Sequence, residues 1–233
     1  MSYQQFAANA VAKASESKRI NFIRLTYIHL GGAVLAFAAL CAALIQSPLA
    51  PALLAFIGGG MLNQLLFLGG FLFAGHIAHR WSMSDRSMQM QYLGLGAYVV
   101  VNAVVFTPIL FVAANYSDPN AIPSAGVMTA VVFGGLTMMT MYTKQDFSFL
   151  GGVLRLATFA AIGVALCSML FGFSLGIVFS TLMVVLAGGY ILYETSAVMR
   201  HYPETAYVAA SLRLFAAVAL LFYYILRIFM NRD

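Results

Sequence analysis

Long apolar stretches separated by short polar segments make up most of this chain. Residues 25–79 contain no formally charged side chain, and 55 residues are too many for one membrane-crossing helix, which needs about 20. The proline-containing segment 47–51 interrupts this stretch, and polar clusters divide the rest of the chain in the same way. The pattern predicts an all-α fold, a polytopic membrane protein built as a bundle of seven transmembrane helices. The predicted spans are about 25–46, 51–76, 91–114, 122–142, 147–170, 174–198 and 205–229.

Composition supports a membrane protein and argues against a nucleic-acid partner. The chain has 233 residues, of which 62% are hydrophobic and 8% charged, whereas soluble domains carry roughly 25% charged residues. A chain this apolar could not cover a surface exposed to water, so its expected surroundings are the lipid bilayer. The net charge is +5, but the basic residues are spread thinly at the ends of apolar runs. That distribution is typical of membrane topology and not of a phosphate-binding patch.

Lysine and arginine are distributed on one side of the predicted bundle. They occur before the first span and after the second, fourth and sixth spans, whereas the connections after the first, third and fifth spans contain none. By the positive-inside rule the N-terminus is cytoplasmic, and seven crossings place the C-terminus outside. Residues 1–24 are expected to form a flexible cytoplasmic tail, and residues 25–233 the membrane domain. The one-sided residues are Lys13, Lys18, Arg19, Arg24, Arg80, Arg86, Lys144 and Arg200.

The residues that most often carry chemistry are scattered. Cys41 and Cys167 have no metal-ligand spacing. His76 and His79 are three residues apart and could begin a metal site, but no third ligand lies nearby. With Trp81 they fit a membrane interface better, because such side chains anchor at the headgroups. No nucleophile–base set, phosphate-cradling loop or metal cluster is apparent, so the sequence predicts neither an enzyme nor a cofactor.

Three formal charges fall within predicted spans away from the chain end: Arg155, Glu194 and Arg213. Glu194 follows 38 residues that carry no formal charge, and an acidic side chain within a membrane is a candidate functional site. The alternative is that Glu194 caps its helix at the headgroups and that each arginine independently extends its side chain to the interface. All three charges are predicted to lie in the cytoplasmic half of the bundle.

An ion pair between Glu194 and Arg213 is the interaction that this arrangement favours. The sixth and seventh spans are joined by a short loop and should lie side by side, and a buried carboxylate needs a cation or several donors. Arg155 is the second candidate partner. Because such a pair needs no shared proton, gating near neutral pH is expected to be weak.

Two segments of the second half of the chain form recognisable motifs. Segment 143–152 reads TKQDFSFLGG and segment 191–196 reads ILYETS, followed at 203–208 by PETAYV. Together they resemble the signature segments of the Bax inhibitor-1 superfamily, and the second is closest to its bacterial YccA branch. In the first motif Asp146 or Ser148 can accept hydrogen bonds from the free N–H groups at the start of the fifth span.

The resemblance implies one function of the channel class. Members of the superfamily are similar to pH-sensitive calcium-leak channels, in which a carboxylate of the sixth span pairs with an aspartate of the seventh. Glu194 matches the first position. The second falls at or near Ala217, which has no carboxylate, and Arg213 lies one helical turn before it. A cation or proton leak at Glu194 is therefore the alternative function.

The same resemblance implies a different function for the YccA branch. Those proteins are similar to modulators of the membrane protease FtsH, which binds them and degrades them from an N-terminal cytoplasmic tail. Residues 1–24 are a tail of this kind. The main expectation is a bacterial inner-membrane protein that binds and modulates an FtsH-like AAA protease in membrane-protein quality control. A structural membrane protein with neither activity is a third possibility.

Overall fold

Residues 11–83, 87–143 and 145–231 are described by the computed structural model, and this part of the chain is helical without strands. One 3-10 turn, Val11–Lys13, precedes eight α-helices. They are α1 (Glu16–Ile45), α2 (Leu49–Gly58), α3 (Met61–Ser82), α4 (Met88–Tyr116), α5 (Ala121–Thr143), α6 (Leu150–Phe171), α7 (Ile177–Arg200) and α8 (Tyr207–Met230).

All of these helices except α2 are long and apolar enough to cross a membrane, which confirms the predicted bundle of seven spans. Helices suit the bilayer because they satisfy their backbone hydrogen bonds internally. The exception, α2, has 10 residues and is about 15 Å long, too short to cross. It lies between the end of α1 and the start of α3 and packs against α1, α3 and α4.

The prediction of one continuous second helix at 51–76 is wrong. The chain ends α2 at Gly58 and begins α3 at Met61, and between them Gly60 has a φ of +122°. A residue with a Cβ atom rarely adopts this conformation, so Gly60 allows the break. As a result α3 extends to Ser82 and includes His79, which the prediction placed beyond the helix.

The first helix also begins earlier than expected. Helix α1 starts at Glu16, so residues 16–24 form its first turns and do not belong to a flexible tail. Phe22 explains the difference, because its side chain is almost completely buried in the main hydrophobic core. Residues 1–10 of the predicted tail lie outside the described part of the chain.

Helix α8 is the centre of the bundle. It packs against α1, α3, α4, α5 and α7, and 61% of its most apolar stretch is buried, compared with 6% for α3 and for α6. Small side chains allow neighbouring helices to approach closely in lipid. On α8 the buried small residues are Ala209, Ala210, Ser211, Ala217 and Ala219.

The alternating directions of the seven spans bring several connections to one end of the bundle. There the start of α1 lies beside the α7–α8 connection, which in turn lies beside the α5–α6 connection. We call this the basic end, because Arg19, Arg24, Arg80 and Arg200 lie at or near it. Two other predicted basic residues, Arg86 and Lys144, lie outside the described residues.

Candidate ion-pair site at Glu194

Glu194 lies inside the bundle near the basic end. It is on α7, six residues before the helix ends at Arg200, or about 9 Å along the helix axis. This is deeper than expected, because the predicted span ended at 198. The side chain is only 5% exposed. A carboxylate in such surroundings is costly unless polar neighbours compensate for the water it has lost.

Arg213 of α8 supplies positive charge on one side of the carboxylate. Its Nη1 atom lies 3.9 Å from Oε1 of Glu194. Charge-assisted hydrogen bonds are usually about 2.7–2.9 Å, so this contact is Coulombic and not a direct hydrogen bond. The Arg213 side chain is 44% exposed, which places the guanidinium group at the rim of the site and the carboxylate within it.

His79 of α3 shares the same guanidinium group. Nη2 of Arg213 lies 3.0 Å from Nε2 of His79. Because an arginine can only donate, the imidazole Nε2 accepts this bond, and the ring proton resides on Nδ1. His79 is half-buried and bonds to Arg213, whereas His76 is exposed, so the interface role expected of the two histidines stays a prediction. The longer α3 brings His79 into the bundle.

Tyr202 contacts the other oxygen of the carboxylate. It lies in the α7–α8 connection, and its hydroxyl donates a hydrogen bond of 3.2 Å to Oε2 of Glu194. Burial, together with the neighbouring carboxylate, raises the pKa of Tyr202 well above its ordinary value. The hydroxyl therefore stays protonated and remains a donor. No feature of the sequence indicates this role, because a tyrosine in a polar loop normally faces the interface.

Arg155 is not brought to Glu194. It lies on the exposed face of α6, and its Nε donates a 3.0 Å hydrogen bond to the Gly151 carbonyl of its own helix. Ala217, which matches the position of the family's second carboxylate, is buried one helical turn beyond Arg213. The site therefore combines one carboxylate with an arginine, a tyrosine and a histidine, where the resemblance implied two carboxylates.

The α5–α6 connection lies against α7 one turn from the α7–α8 connection. Asp146 Oδ1 accepts the Ser148 N–H at 3.0 Å, and the Phe147 N–H donates to Ser196 Oγ at 3.0 Å. The Ser148 hydrogen bond lowers the pKa of Asp146. This differs from the predicted cap, because α6 begins only at Leu150 and receives no side-chain cap at its N-terminus. The loop anchors the start of α6 to α7.

A second polar cluster lies nearby. His29, which stands alone in the sequence of the first span, has Nε2 2.9 Å from the Tyr92 hydroxyl. That hydroxyl is 3.5 Å from the hydroxyl of Tyr207. These contacts join α1, α4 and α8 by interhelical hydrogen bonds, the usual role of an isolated polar side chain in a span. Within the described residues, no three His, Cys, Asp or Glu side chains form a metal-ligand group.

Together the fold and the site define a polytopic helical membrane protein with a buried carboxylate between neighbouring spans. A family model described as "Inhibitor of apoptosis-promoting Bax1" matches residues 19–233. The chain therefore belongs to the Bax inhibitor-1 family.

Curated bacterial relatives match parts of the chain. A Pseudomonas aeruginosa protein described as uncharacterised is 37% identical over 111 residues, which are 47% of this chain and 50% of the relative. The Escherichia coli K12 protein named "Modulator of FtsH protease YccA" is 31% identical over 151 residues, 58% of this chain and 66% of the relative. The E. coli O6:H1 protein named "Inner membrane protein YccA" matches with the same identity and shares. The matches thus span about half to two thirds of these relatives' own lengths.

Proposed function

We propose that this protein binds a membrane-bound AAA protease of the FtsH type and modulates it in the quality control of membrane proteins. The observation that carries the proposal is the similarity to the E. coli modulator of FtsH protease, at 31% identity over 151 residues. The described residues form a bundle of spans with short connections, and this fold suits the binding of a partner better than chemistry in a soluble domain.

We further propose that the N-terminus is cytoplasmic in a bacterial inner membrane. The arginines of the basic end support this orientation. Single cysteines at Met83 and Asn120 test it in a variant whose exposed Cys167 is replaced by serine. A membrane-impermeant thiol reagent should label Met83→Cys only in inverted vesicles and Asn120→Cys only in intact spheroplasts. Labelling of both positions in the same preparation would refute the orientation.

Protease binding is tested by co-purification of the full-length chain from native membranes. A protease of the FtsH class should co-purify with it, and a chain lacking residues 1–10 should have a longer lifetime in cells. This deletion is a more specific test than removal of the whole predicted tail, because it keeps Val11, which is completely buried. A strain with an inactive protease is the control, since both chains should then persist equally. Unchanged turnover with the protease active would refute the tail as the site of degradation.

A second candidate function is a leak of calcium ions or protons past Glu194. The observation that favours it is the buried carboxylate within a span, whose neighbours Arg213 and Tyr202 could open or close a path. Flux into liposomes tests it. The wild-type chain should leak slowly, Arg213→Ala should leak faster and Glu194→Gln should differ from both. Equal flux in all three chains and in empty liposomes would exclude the leak without affecting the protease proposal.

A further inference from the structure

The first described residues of the chain return to the α7–α8 connection. Val11 is completely buried and belongs to the main hydrophobic core, and its N–H donates a 2.9 Å hydrogen bond to the Tyr202 carbonyl. The 3-10 turn that it begins packs against α7 and α1. Ordering a segment near the end of a chain costs conformational entropy, so the contacts that hold it must outweigh this cost. The burial of Val11 and its hydrogen bond to the α7–α8 connection therefore form a specific attachment.

A second contact fastens the same two parts of the chain. Nζ of Lys18 lies 3.2 Å from Oε2 of Glu204, with the side chains 65% and 33% exposed. Exposed ion pairs of this kind contribute little stability. The burial of Val11 is therefore the stronger attachment, and the ion pair limits how residues 11–18 can lie across the connection.

Tyr202 is held at both of its ends. Its backbone carbonyl accepts the bond from Val11, and its hydroxyl donates the 3.2 Å bond to Glu194. The same residue thus joins the N-terminal segment to the carboxylate. On the far side of the carboxylate, Arg213 contacts the other oxygen through Nη1. The same guanidinium group contacts His79 through Nη2. An unbroken series of contacts runs from Val11 to α3.

We propose that residues 11–18 act as a strap that holds Tyr202 against Glu194, and that Tyr202 is the positioning residue of the site. When the strap leaves, the Tyr202 carbonyl loses its hydrogen-bond partner, while the Tyr202 N–H keeps its 3.3 Å bond to the Ala197 carbonyl of α7. The hydroxyl can then leave Glu194, and the carboxylate becomes accessible from the basic end. The inference goes beyond the proposed function, since it requires neither a protease nor an ion flux. The surface of the α7–α8 connection is then a docking surface whose occupant is the chain's own N-terminal segment.

The chain provides a reporter position and a matched pair of variants for the test. Val198 is fully buried on α7, one turn from Glu194 toward Tyr202, and Val198→Cys changes its volume little. The background carries Cys41→Ala and Cys167→Ser, which remove both native thiols. Val11→Asp disrupts the attachment of the strap, whereas Ala12→Asp places the same charge on the exposed neighbouring residue. If Val11→Asp fails to fold, Val11→Ala is the milder replacement.

The measurement is the rate at which a thiol reagent modifies Val198→Cys in detergent solution, where both ends of the bundle are accessible and membrane orientation has no influence. We expect at least a tenfold higher rate with Val11→Asp than with Ala12→Asp. Thr107→Cys, at a fully buried position of α4, should stay unreactive in both. Equal rates at Val198→Cys, or a matching increase at Thr107→Cys, would overturn the proposal, because the first shows no release and the second shows general unfolding.

A double-mutant comparison tests whether Tyr202 transmits the effect. Tyr202→Phe keeps the ring but removes the hydrogen bond to Glu194, and it should lower the Tm in the Ala12→Asp background. In the Val11→Asp background the same change should lower the Tm by a smaller amount, because the released tyrosine has already lost that bond. Additive shifts would show that Val11 and Tyr202 stabilise the protein independently and would refute the strap.

Discussion

Helices α6 and α8 are similar as sequences and opposite in their surroundings. They have 22 and 24 residues, and their most apolar stretches have mean hydropathies of 2.0 and 1.9. Each carries an arginine five or six residues from its start, Arg155 in α6 and Arg213 in α8. Yet 6% of the apolar stretch of α6 is buried, compared with 61% of that of α8.

The difference shows that apolar content does not decide which helix occupies the centre of a membrane bundle. Lipid tails are as apolar as leucine, so a large apolar side chain has no preference for the inside. What distinguishes α8 is its buried alanines and the contacts that its arginine makes with α3 and α7. Arg155 has no such contact and bonds to its own backbone. The first two predictions below compare a residue at the centre with one at the periphery.

The largest effect is expected from enlarging a small residue of α8. Ala210 is completely buried, so Ala210→Leu adds three carbon atoms where neighbouring helices are already in contact. Overpacking of this kind typically costs about 1–3 kcal/mol and sometimes more. Ala160→Leu on the exposed face of α6 is the control and should change stability by no more than about 0.5 kcal/mol. Thermal unfolding in detergent measures both, and equal losses would contradict the difference between centre and periphery.

The two arginines provide the next test. Arg213→Ala leaves the buried Glu194 carboxylate without its cation, and a buried group deprived of its partner costs about 1–3 kcal/mol. We expect the lower half of this range, because the guanidinium is partly exposed. Arg155→Ala should cost much less, since Arg155 lies on the exposed side of α6.

A double-mutant cycle isolates the pair. The combined change Glu194→Gln with Arg213→Gln should recover much of the stability lost in Arg213→Gln alone, because no charge is left unpaired. Unfolding free energies of the four chains give the coupling. If the losses in unfolding free energy of the two single variants simply add in the double variant, the Glu194 carboxylate is stabilised by Tyr202 and not by Arg213.

The pattern of apolar and polar residues along the chain is sufficient to predict the number of spans but not how the spans pack. Apolar runs and the polar clusters between them predict seven spans, because span length is a property of each segment alone. The break at Gly60 was missed, since glycines within a span are equally compatible with close packing. The proximity of Arg213 to Glu194 followed from neighbouring spans and a short loop. His79 and Tyr202 were missed because their contacts depend on where α3 and the α7–α8 connection lie in three dimensions.

A smaller effect is expected where α6 meets the bundle. The Thr158 hydroxyl lies 2.8 Å from the Tyr190 hydroxyl, which links α6 to α7. Hydrogen bonds between membrane helices contribute about 0.6 kcal/mol on average and at most about 1.7. Tyr190→Phe should therefore cost about that average, and Tyr142→Phe, at an exposed position of α5, should cost nothing measurable. A much larger loss at Tyr190 would show that α6 is held more firmly than its exposure indicates.

The smallest expected effect concerns pH and the loop that attaches α6 to the centre. The Ser148 N–H, bonded to Asp146, lowers the pKa of this carboxyl below its ordinary value, so folding favours the ionised form. The resulting stabilisation is fully present above the ordinary value of 3.8 and is lost as the pH falls through the lowered one. Asp146→Asn resembles the protonated acid at every pH. Amide-exchange protection in the first turns of α6 should therefore be higher in the wild type near neutral pH, and the difference should vanish in acid.

Asp118→Asn is the control, because Asp118 accepts the Asn120 N–H in the same way at the opposite end of the bundle and should leave α6 unaffected. A difference between wild type and Asp146→Asn that persists or grows in acid would mean that the ionised carboxylate does not hold α6 in place, and that Ser196, which accepts the Phe147 N–H, is the anchor instead.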